Sequence, residues 1–335
     1  MPDTPSLTIL YTGGTISMLK SGSKGSSVPA LTGEDLSRSV PGLDKTFHLH
    51  NVDFGQLPGP HMTPERMLSL AQAVRDALDS GSDGVVITHG TDTLEETAYM
   101  LDLLHHDERP VVFVGAMRTR DELSWDGPVN LSAACLVAGH KDSIGRGVMV
   151  VMNNTIHSAK GVSKTYTNAL DTFMSPVVGP LGIVDVGQVE FFREAANRMV
   201  LDGVVTPTSL LSTPLPRVEL LTAYAGADGT LTEAAVNVGA QGIVVQAMGR
   251  GNVPPEMAEP LMEAMRKGVK VVLCSRCWGG RVAPIYGYPG GGATLFEGGA
   301  IIAPRLNSLK ARLGLKLALA AGYDDQRLRE FFLEQ

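Results

Sequence analysis

The chain has 335 residues, of which 44% are hydrophobic and 19% are charged, and its formal net charge is −7. This composition is typical of a folded globular protein that is long enough for two domains. The acidic balance argues against a surface that binds nucleic acid or anionic membranes. The three cysteines are too few and too scattered to form a disulfide framework.

The N-terminus leads directly into a short apolar run at 7–10, with no basic segment before a long apolar one. We therefore expect no secretory signal. No stretch reaches the roughly 20 apolar residues that a membrane-spanning helix needs. A cytoplasmic location is the default expectation.

Short apolar, β-branched runs alternate with amphipathic stretches in the first half of the chain. We predict strands at 7–11, 84–88, 110–114 and 147–152, and helices at 64–80, 93–104 and 128–138. Continuous apolar runs fit strands that are buried on both faces of a parallel sheet. The alternation therefore predicts a doubly wound α/β fold. Thr63 is expected to cap the first of these helices, ahead of Pro64.

From 191 to 216 the sequence becomes polar and then rich in proline, which is typical of an exposed linker. Beyond it we predict strands at 218–224, 242–246 and 270–274, and helices at 255–267 and 308–321. We expect two α/β domains, a larger N-terminal one at 1–190 with a doubly wound, mostly parallel sheet and a smaller C-terminal parallel-sheet domain at 217–335, joined by the linker at 191–216.

A first chemical motif, TGGTI at 12–16, directly follows the first predicted strand. Ligands of open α/β sheets bind beyond the carboxyl ends of the strands. Gly13 and Gly14 permit positive φ angles, so consecutive N–H groups could converge on one oxygen. The motif lacks the Walker and dinucleotide-binding patterns. It is therefore either a tight turn or a nucleophilic hydroxyl, Thr12, beside an oxyanion hole.

The second motif, HGTDT at 89–93, follows the second predicted strand, so it should lie at the same sheet edge as Thr12. Asp92 stands where a helix begins and could cap the N–H groups of its first turn. Alternatively, its carboxylate could accept the ammonium of an amino-acid substrate, while Thr91 supplies a second hydroxyl.

Lys164 lies in the segment KGVSKT at 160–165, after the fourth predicted strand. Lysines are mostly solvated at protein surfaces. A lysine that is partly desolvated beside a threonine hydroxyl can instead accept its proton. The presence of Thr91 and Asp92 in the second motif favours this second interpretation.

Cys274 and Cys277 have the CxxC spacing. A metal site would need two further ligands, and none stands out in the sequence. A redox motif of this form opens a helix, whereas the poor helix former WGG follows here at 278–280. We interpret the segment as a buried strand end with small side chains.

The motifs occur in a fixed order with several others, namely GAMR at 115–118, DGPVNL at 126–131, SKT at 163–165, GRGNV at 249–253 and LNSLKAR at 306–312. Each is weak alone, but the ordered set covers most of the chain and is highly specific. The chain resembles the L-asparaginase/glutaminase family of bacterial type. Without a signal peptide, it is similar to the cytosolic branch of that family.

The resemblance implies a two-domain α/β enzyme that hydrolyses the side-chain amide of L-asparagine, with or without a side activity on L-glutamine. Thr12 would attack the amide carbon and form an acyl-enzyme, while Thr91, Lys164 and Asp92 handle protons and anchor the substrate. Backbone N–H groups near Thr12 and Thr91 would stabilise the oxyanion. The implied substrate-binding residues are Gly59, Pro60, Gly90, Thr91, Asp92, Ala116 and Asn252.

The resemblance also implies a homodimer or homotetramer in which neighbouring subunits share active sites, with Asn252 reaching toward the partner's substrate. The implied ligand is a small amino acid. We expect no cofactor, no metal, and neither a nucleic-acid nor a membrane partner.

The sequence departs from the family pattern in the loop after TGGTI. Family members usually carry a tyrosine there, close to the nucleophile, whereas the segment at 17–30, SMLKSGSKGSSVPA, has none. Its Gly/Ser-rich composition fits a flexible lid, and Lys24 is the ionisable side chain near its middle. Tyr11 is adjacent to the nucleophile, but alternation along a strand should direct it to the opposite side.

Two further departures concern substrate recognition. Gly59 stands where the family has a serine, and Pro60 has no N–H to offer. The substrate α-carboxylate would then rely on backbone N–H groups, and His61 is the nearest new side chain. In secreted members an acidic residue near the partner's active site is usual, but Glu297 is the only carboxylate at 283–300 and it aligns poorly.

Two alternative functions share these motifs. One is the amide-hydrolysing subunit of a tRNA-dependent amidotransferase, which would usually bring an extra N-terminal domain and a nucleic-acid partner. The other is a non-catalytic amino-acid sensor on the same scaffold. A sensor would gain nothing from having Thr12, Thr91 and Lys164 together.

Overall fold

The computed structural model describes residues 4–21, 26–194, 198–202 and 205–335. The chain divides into two compact units between Val200 and Leu201. This point lies inside the segment that was predicted as a linker, 191–216, which also contains the short helix Pro207–Leu211.

Unit 1 contains twelve strands and five α-helices within its described residues. The strands are β1 (Ser6–Gly13), β2 (Met18–Ser21), β3 (Ser26–Pro29), β4 (His48–Leu57), β5 (Gly84–Thr88), β6 (Val111–Val114), β7 (Val148–Met152), β8 (Thr155–Ser158), β9 (Ser163–Lys164), β10 (Phe173–Met174), β11 (Gly182–Asp185) and β12 (Gln188–Phe191). The helices are α1 (Gly33–Arg38), α2 (Leu43–Thr46), α3 (Pro64–Asp79), α4 (Leu94–Leu104) and α5 (Gly127–Ala138).

Eight of these strands form one sheet in the order β12-β11-β8-β7-β6-β5-β1-β4. The five strands from β7 to β4 are parallel, and β8, β11 and β12 extend the sheet with antiparallel pairings. The predicted doubly wound, mostly parallel sheet is confirmed. The four predicted strands match β1, β5, β6 and β7, whose residues are almost all buried because helices cover the sheet.

Helix α3 begins and packs as its sequence predicts. The Thr63 hydroxyl accepts a hydrogen bond from the Arg66 N–H at 3.4 Å, and Pro64 occupies the first turn, where an N–H is not needed. Leu68, Ala71, Val74 and Leu78 form the predicted buried face. Each fully buried leucine of this kind contributes about 1.5–3 kcal/mol to folding.

Unit 2 is built on a smaller sheet of four strands, all of them parallel, in the order β13-β14-β15-β16. The strands are β13 (Val218–Thr222), β14 (Gly242–Ala247), β15 (Lys270–Ser275) and β16 (Ile301–Ile302). The helices are α6 (Pro207–Leu211), α7 (Thr230–Asn237), α8 (Pro255–Arg266), α9 (Gly292–Glu297), α10 (Ser308–Ala320) and α11 (Asp325–Glu334). The smaller parallel-sheet domain is therefore confirmed.

A core of small and branched apolar side chains joins the sheet of unit 2 to helix α8. Ile243, Val245 and Leu273 from the strands pack in one cluster with Met257 and Leu261 from the helix. Helix α10 contacts β13, β14 and β15 as well. None of the helices in the described parts of the chain is long and apolar enough to cross a membrane.

Candidate active site

Loops that follow four neighbouring parallel strands meet at one edge of the unit 1 sheet. A Cβ built on Gly14, after β1, would lie 2.5 Å from the backbone nitrogen of Gly90, after β5. A Cβ built on Gly90 would lie 2.6 Å from the Cα of Gly59, after β4. A Cβ on Gly115, after β6, would lie 3.1 Å from Thr91 Cγ2. The two predicted motifs therefore touch, because both follow adjacent parallel strands.

Thr12 lies next to the end of β1 with its side chain buried. Its hydroxyl donates to the carbonyl oxygen of Thr88, the last residue of β5, across 2.7 Å. Tyr11 points elsewhere, as alternation along the strand predicts, since its hydroxyl bonds Ser37 Oγ at 2.5 Å and Asn51 Oδ1 at 2.9 Å. Burial also raises the pKa of Tyr11, so this phenol is no base for Thr12.

Both glycines of the TGGTI motif need their positive φ angles, which are 101° at Gly13 and 86° at Gly14. The Gly14 N–H, however, donates to the carbonyl of Leu57 at 3.1 Å and so fixes β4 against the loop. The expectation that consecutive N–H groups of this loop converge on a ligand oxygen is therefore wrong for Gly14.

Lys164 joins the HGTDT loop through its ammonium group. Its Nζ donates to Thr91 Oγ1 at 2.9 Å and to Asp92 Oδ1 at 2.7 Å. The Lys164 side chain is only 16% exposed, so it is not the solvated surface lysine of the alternative interpretation. The Asp92 side chain is 59% exposed, and its carboxylate therefore faces both the lysine and solvent.

Asp92 does not cap the helix that follows it. Helix α4 begins at Leu94 with Thr93 in the N-cap position, and no side chain caps it. The Thr93 hydroxyl instead donates to the carbonyl oxygen of Gly59 at 2.8 Å. The carboxylate of Asp92 is thus left for Lys164 and for a cationic ligand.

The turn after β4 brings Gly59 to this cluster. Gly59 is buried in the short 3₁₀ turn Gly59–His61, and a Cβ built on it would lie 3.3 Å from Asp92 Cβ. A serine here would therefore press against Asp92. Pro60 and His61 are both exposed.

The GAMR loop reaches the cluster through its backbone. Ala116 is fully buried within this loop, so the structure gives its side chain no exposed surface for a ligand. The Asp126 carboxylate accepts hydrogen bonds from the N–H groups of Met117 and Arg118, at 2.9 Å each. Asn130 ties the same carboxylate to the Gly115 carbonyl. The DGPVNL segment therefore holds GAMR in place.

His89 is buried and supports the HGTDT loop. Its Nδ1 lies 2.8 Å from the Gly90 carbonyl, and its ring packs edge-on against Phe113. Complete burial lowers the pKa of His89 to about 4. The neutral imidazole thus donates from Nδ1 and stabilises the turn.

The arms of the predicted lid form the β2–β3 hairpin. The Lys20 N–H donates to Asp121 Oδ2 at 2.7 Å, and the Arg120 N–H lies 3.4 Å from the Met18 carbonyl oxygen. The lid is therefore fastened to the segment after GAMR. Lys24, which was singled out in the sequence, lies outside the described residues.

Glu95 is a buried carboxylate behind Lys164 that the sequence motifs did not indicate. Its Oε2 accepts from Ser163 Oγ at 2.8 Å, and its Oε1 accepts from the Lys164 N–H at 3.3 Å. Glutamate in a first helical turn is common because of the helix dipole. Nothing in the sequence therefore signalled that this one is buried.

Asn252 is the predicted site residue that belongs to unit 2. It pairs with Met248 in an isolated bridge, and its Oδ1 accepts from the Gly292 N–H at 3.0 Å. In the same unit Cys274 is buried and Cys277 is exposed, and both are free thiols. Among the described residues, no group of three potential ligands could hold a metal ion.

Family models match most of the chain. The model described as "Asparaginase, N-terminal" matches residues 6–197. The model described as "Glutaminase/Asparaginase C-terminal domain" matches residues 217–332.

Individual proteins are similar over almost the full length. A probable L-asparaginase of Deinococcus radiodurans is 41% identical and the match covers 98% of each chain. A probable periplasmic L-asparaginase of Haemophilus influenzae is 38% identical, with 98% of this chain and 93% of that one covered. The crystal structure of a probable cytoplasmic L-asparaginase from Campylobacter jejuni superposes with a TM-score of 0.88 at 34% identity, covering 99% and 100% of the two chains.

Proposed function

Since the chain belongs to the asparaginase family, we propose that it hydrolyses the side-chain amide of L-asparagine to L-aspartate and ammonia. The resemblance inferred from the ordered motifs is thereby confirmed at the level of the family. L-glutamine, whose side chain carries the same amide, is the expected slower substrate.

The contact that carries this proposal is the one between Lys164, Thr91 and Asp92, beside the loop that bears Thr12. It supplies a hydroxyl nucleophile, a second hydroxyl coupled to an amine, and a half-exposed carboxylate at one sheet edge. Acyl transfer needs a nucleophile, a route for its proton and a donor for the oxyanion. A carboxylate that faces solvent suits the α-ammonium of an amino acid.

In the first half-reaction the Thr12 oxygen attacks the amide carbon of the substrate and forms a tetrahedral intermediate. The hydroxyl proton passes by way of the Thr91–Lys164 pair to the leaving nitrogen. The carbon–nitrogen bond then breaks and ammonia departs, which leaves an aspartyl ester on Thr12.

In the second half-reaction a water molecule attacks the ester carbon. One water proton returns to the Thr12 oxygen through the same pair, and aspartate leaves. In both steps the oxyanion would accept hydrogen bonds from backbone N–H groups near Thr12 and Thr91.

Ammonia release from asparagine and from glutamine by the intact protein tests the substrate assignment. We expect the kcat/KM for asparagine to be higher, because the additional methylene of glutamine moves its amide carbon relative to Thr12 when Asp92 holds the α-ammonium, and a misplacement of about 1 Å costs about 10²-fold. Equal or faster turnover of glutamine would contradict the assignment.

The same assay separates the alternative functions. Tight binding of asparagine, measured by calorimetry, without ammonia release would favour an amino-acid sensor. An amidotransferase subunit should need a partner and tRNA for turnover. The similarity to proteins described as L-asparaginases supports the asparaginase proposal.

We further propose a homodimer or homotetramer with active sites shared between neighbouring subunits. Several apolar side chains are exposed in each unit, and they suit a protein–protein interface; they include Tyr166, Val177 and Val178 in unit 1, and Trp278, Ile285 and Tyr288 in unit 2. Light scattering at assay concentrations should give a multiple of the mass of 35.5 kDa. A fully active monomer would rule out the shared site.

The cellular location is also a proposal. The Campylobacter jejuni protein is described as probably cytoplasmic, whereas the Haemophilus influenzae relative is described as periplasmic. A cytoplasmic location agrees with the first of these two and with the sequence expectation.

A further inference from the structure

A buried carboxylate holds the backbone that carries Lys164. Glu95 is 6% exposed and lies in the first turn of α4, three residues after Asp92. One of its oxygens accepts from the Ser163 hydroxyl and the other from the Lys164 N–H. The carboxylate thus links the start of α4 to two successive residues of β9.

The strand that carries Lys164 has little support of its own. β9 is only two residues long and pairs with the equally short β10, apart from the eight-stranded sheet. A two-residue ribbon of this kind is not independently stable. The long, flexible side chain of Lys164 adds further freedom at its tip. Something must therefore fix β9 relative to the HGTDT loop if Nζ is to reach both of its partners.

We propose that Glu95 is the positioning residue that sets Lys164 for catalysis. Helix α4 directly follows the loop that carries Thr91 and Asp92, so the Glu95 carboxylate moves with that loop. By binding the Lys164 N–H it fixes the lysine backbone, while the Nζ is held by Thr91 and Asp92. The backbone and the Nζ of Lys164 are therefore both held by one continuous segment, the HGTDT loop and the start of α4. This inference rests on the proposed amidohydrolase function.

A glutamate suits this position for two physical reasons. Its two oxygens accept from two donors at once, which a shorter or singly accepting side chain would not do. Its negative charge in the first turn of α4 is favoured by the helix dipole, which offsets the cost of burying it. A glutamine side chain at position 95 would keep the shape of the glutamate. Its carbonyl oxygen can accept from the Lys164 N–H, and its NH₂ group can donate to the Ser163 hydroxyl oxygen.

The test compares Glu95→Ala, Glu95→Gln and Ser163→Ala, with Glu65→Gln as the matched control. Glu65 also lies in the first turn of a helix, α3, but it is exposed, and the atom of Glu65 that accepts from Ser69 Oγ is its backbone carbonyl. Steady-state ammonia release from asparagine gives kcat and KM, and thermal melting gives the folded fraction of each variant.

We expect Glu95→Ala to lower kcat by about 10²-fold, because a displacement of about 1 Å at a catalytic group has that effect. KM should stay within about threefold, since Asp92 remains. Glu95→Gln should restore kcat to within about fivefold of the parent, and Ser163→Ala should lose about three- to tenfold, as expected for one hydrogen bond. The control should match the parent.

The proposal is overturned if Glu95→Ala keeps kcat within about threefold of the parent, or if Glu95→Gln is as impaired as Glu95→Ala. If Glu95→Ala does not fold, unchanged kcat in Ser163→Ala overturns it.

Crystal structures of the parent and a folded variant give a readout that is independent of activity. We expect Lys164 Nζ to leave Thr91 Oγ1 in Glu95→Ala. An inactive parent would refute the proposed function, whereas an unmoved Lys164 would refute the positioning role.

Discussion

Replacing Thr12 with alanine is expected to lower kcat for asparagine by at least about 10⁴-fold, because removal of a covalent nucleophile has an effect of this order or larger. The remaining groups would still bind substrate and polarise its carbonyl, so KM should change little. Ammonia release by Thr12→Ala and by the parent, at equal concentrations of folded protein, measures the effect.

Two variants control for folding and for chemistry. Thr8→Ala removes a buried hydroxyl from the same strand. This hydroxyl lies 2.7 Å from Ser82 Oγ, and neither residue belongs to a motif loop. The variant should keep the parental kcat. Thr12→Ser keeps a hydroxyl at the reacting position and should recover part of the lost activity. Parental turnover by Thr12→Ala would remove Thr12 from the mechanism.

Replacing Lys164 with methionine is expected to lower kcat by about 10³-fold, within the range typical of lost general acid–base groups. Methionine fills a similar volume but has no donor for Thr91 Oγ1 or for Asp92 Oδ1, which Nζ approaches to 2.9 Å and 2.7 Å in the parent. Proton transfer to the leaving nitrogen would then lack its relay. The measurement is the steady-state rate of ammonia release at saturating asparagine.

Lys141→Met serves as the comparison for this experiment. Lys141 is exposed in a short 3₁₀ turn after α5, away from the four loops of the site. Its substitution removes the same charge and should leave the rate unchanged. A Lys164→Met rate within about tenfold of the parent would show that Lys164 is not part of the proton relay.

The elements that bring the motifs together were predictable from the sequence because they are buried on both faces. Strands such as Gly84–Thr88 appear as unbroken apolar runs, and their parallel order follows from the helices between them. Once β1 and β5 are neighbours, the loops bearing Thr12 and Thr91 must emerge at one edge. The meeting of the first two motifs therefore follows from the strand pattern alone.

The edge strand His48–Leu57 could not be predicted in this way. It pairs with β1 at residues 48–53 and again at Leu57, yet none of its ten residues is buried. Its place in the sheet depends on main-chain hydrogen bonds, which any sequence can form, and not on an apolar pattern. Because this strand delivers Gly59 to the site, no local sequence pattern places that turn beside Asp92.

The contacts of Asp92 and Glu95 were equally hidden. Both are acidic residues at the start of one helix, and the sequence makes each a candidate for helix-end stabilisation. The structure distinguishes them by their surroundings. Asp92 faces Lys164 Nζ and solvent, whereas Glu95 is buried against the backbone of β9. Long-range packing of this kind, across 69 residues for Glu95 and Lys164, leaves no local signal.

Rapid quenching of the enzyme with asparagine, followed by intact-mass and peptide analysis, tests the covalent mechanism most directly. We predict a transient mass increase of one aspartyl group, located on the peptide that contains Thr12 and absent from Thr12→Ala. Asparagine turnover with an aspartyl group on another residue, or at the same rate in Thr12→Ala, would contradict the account.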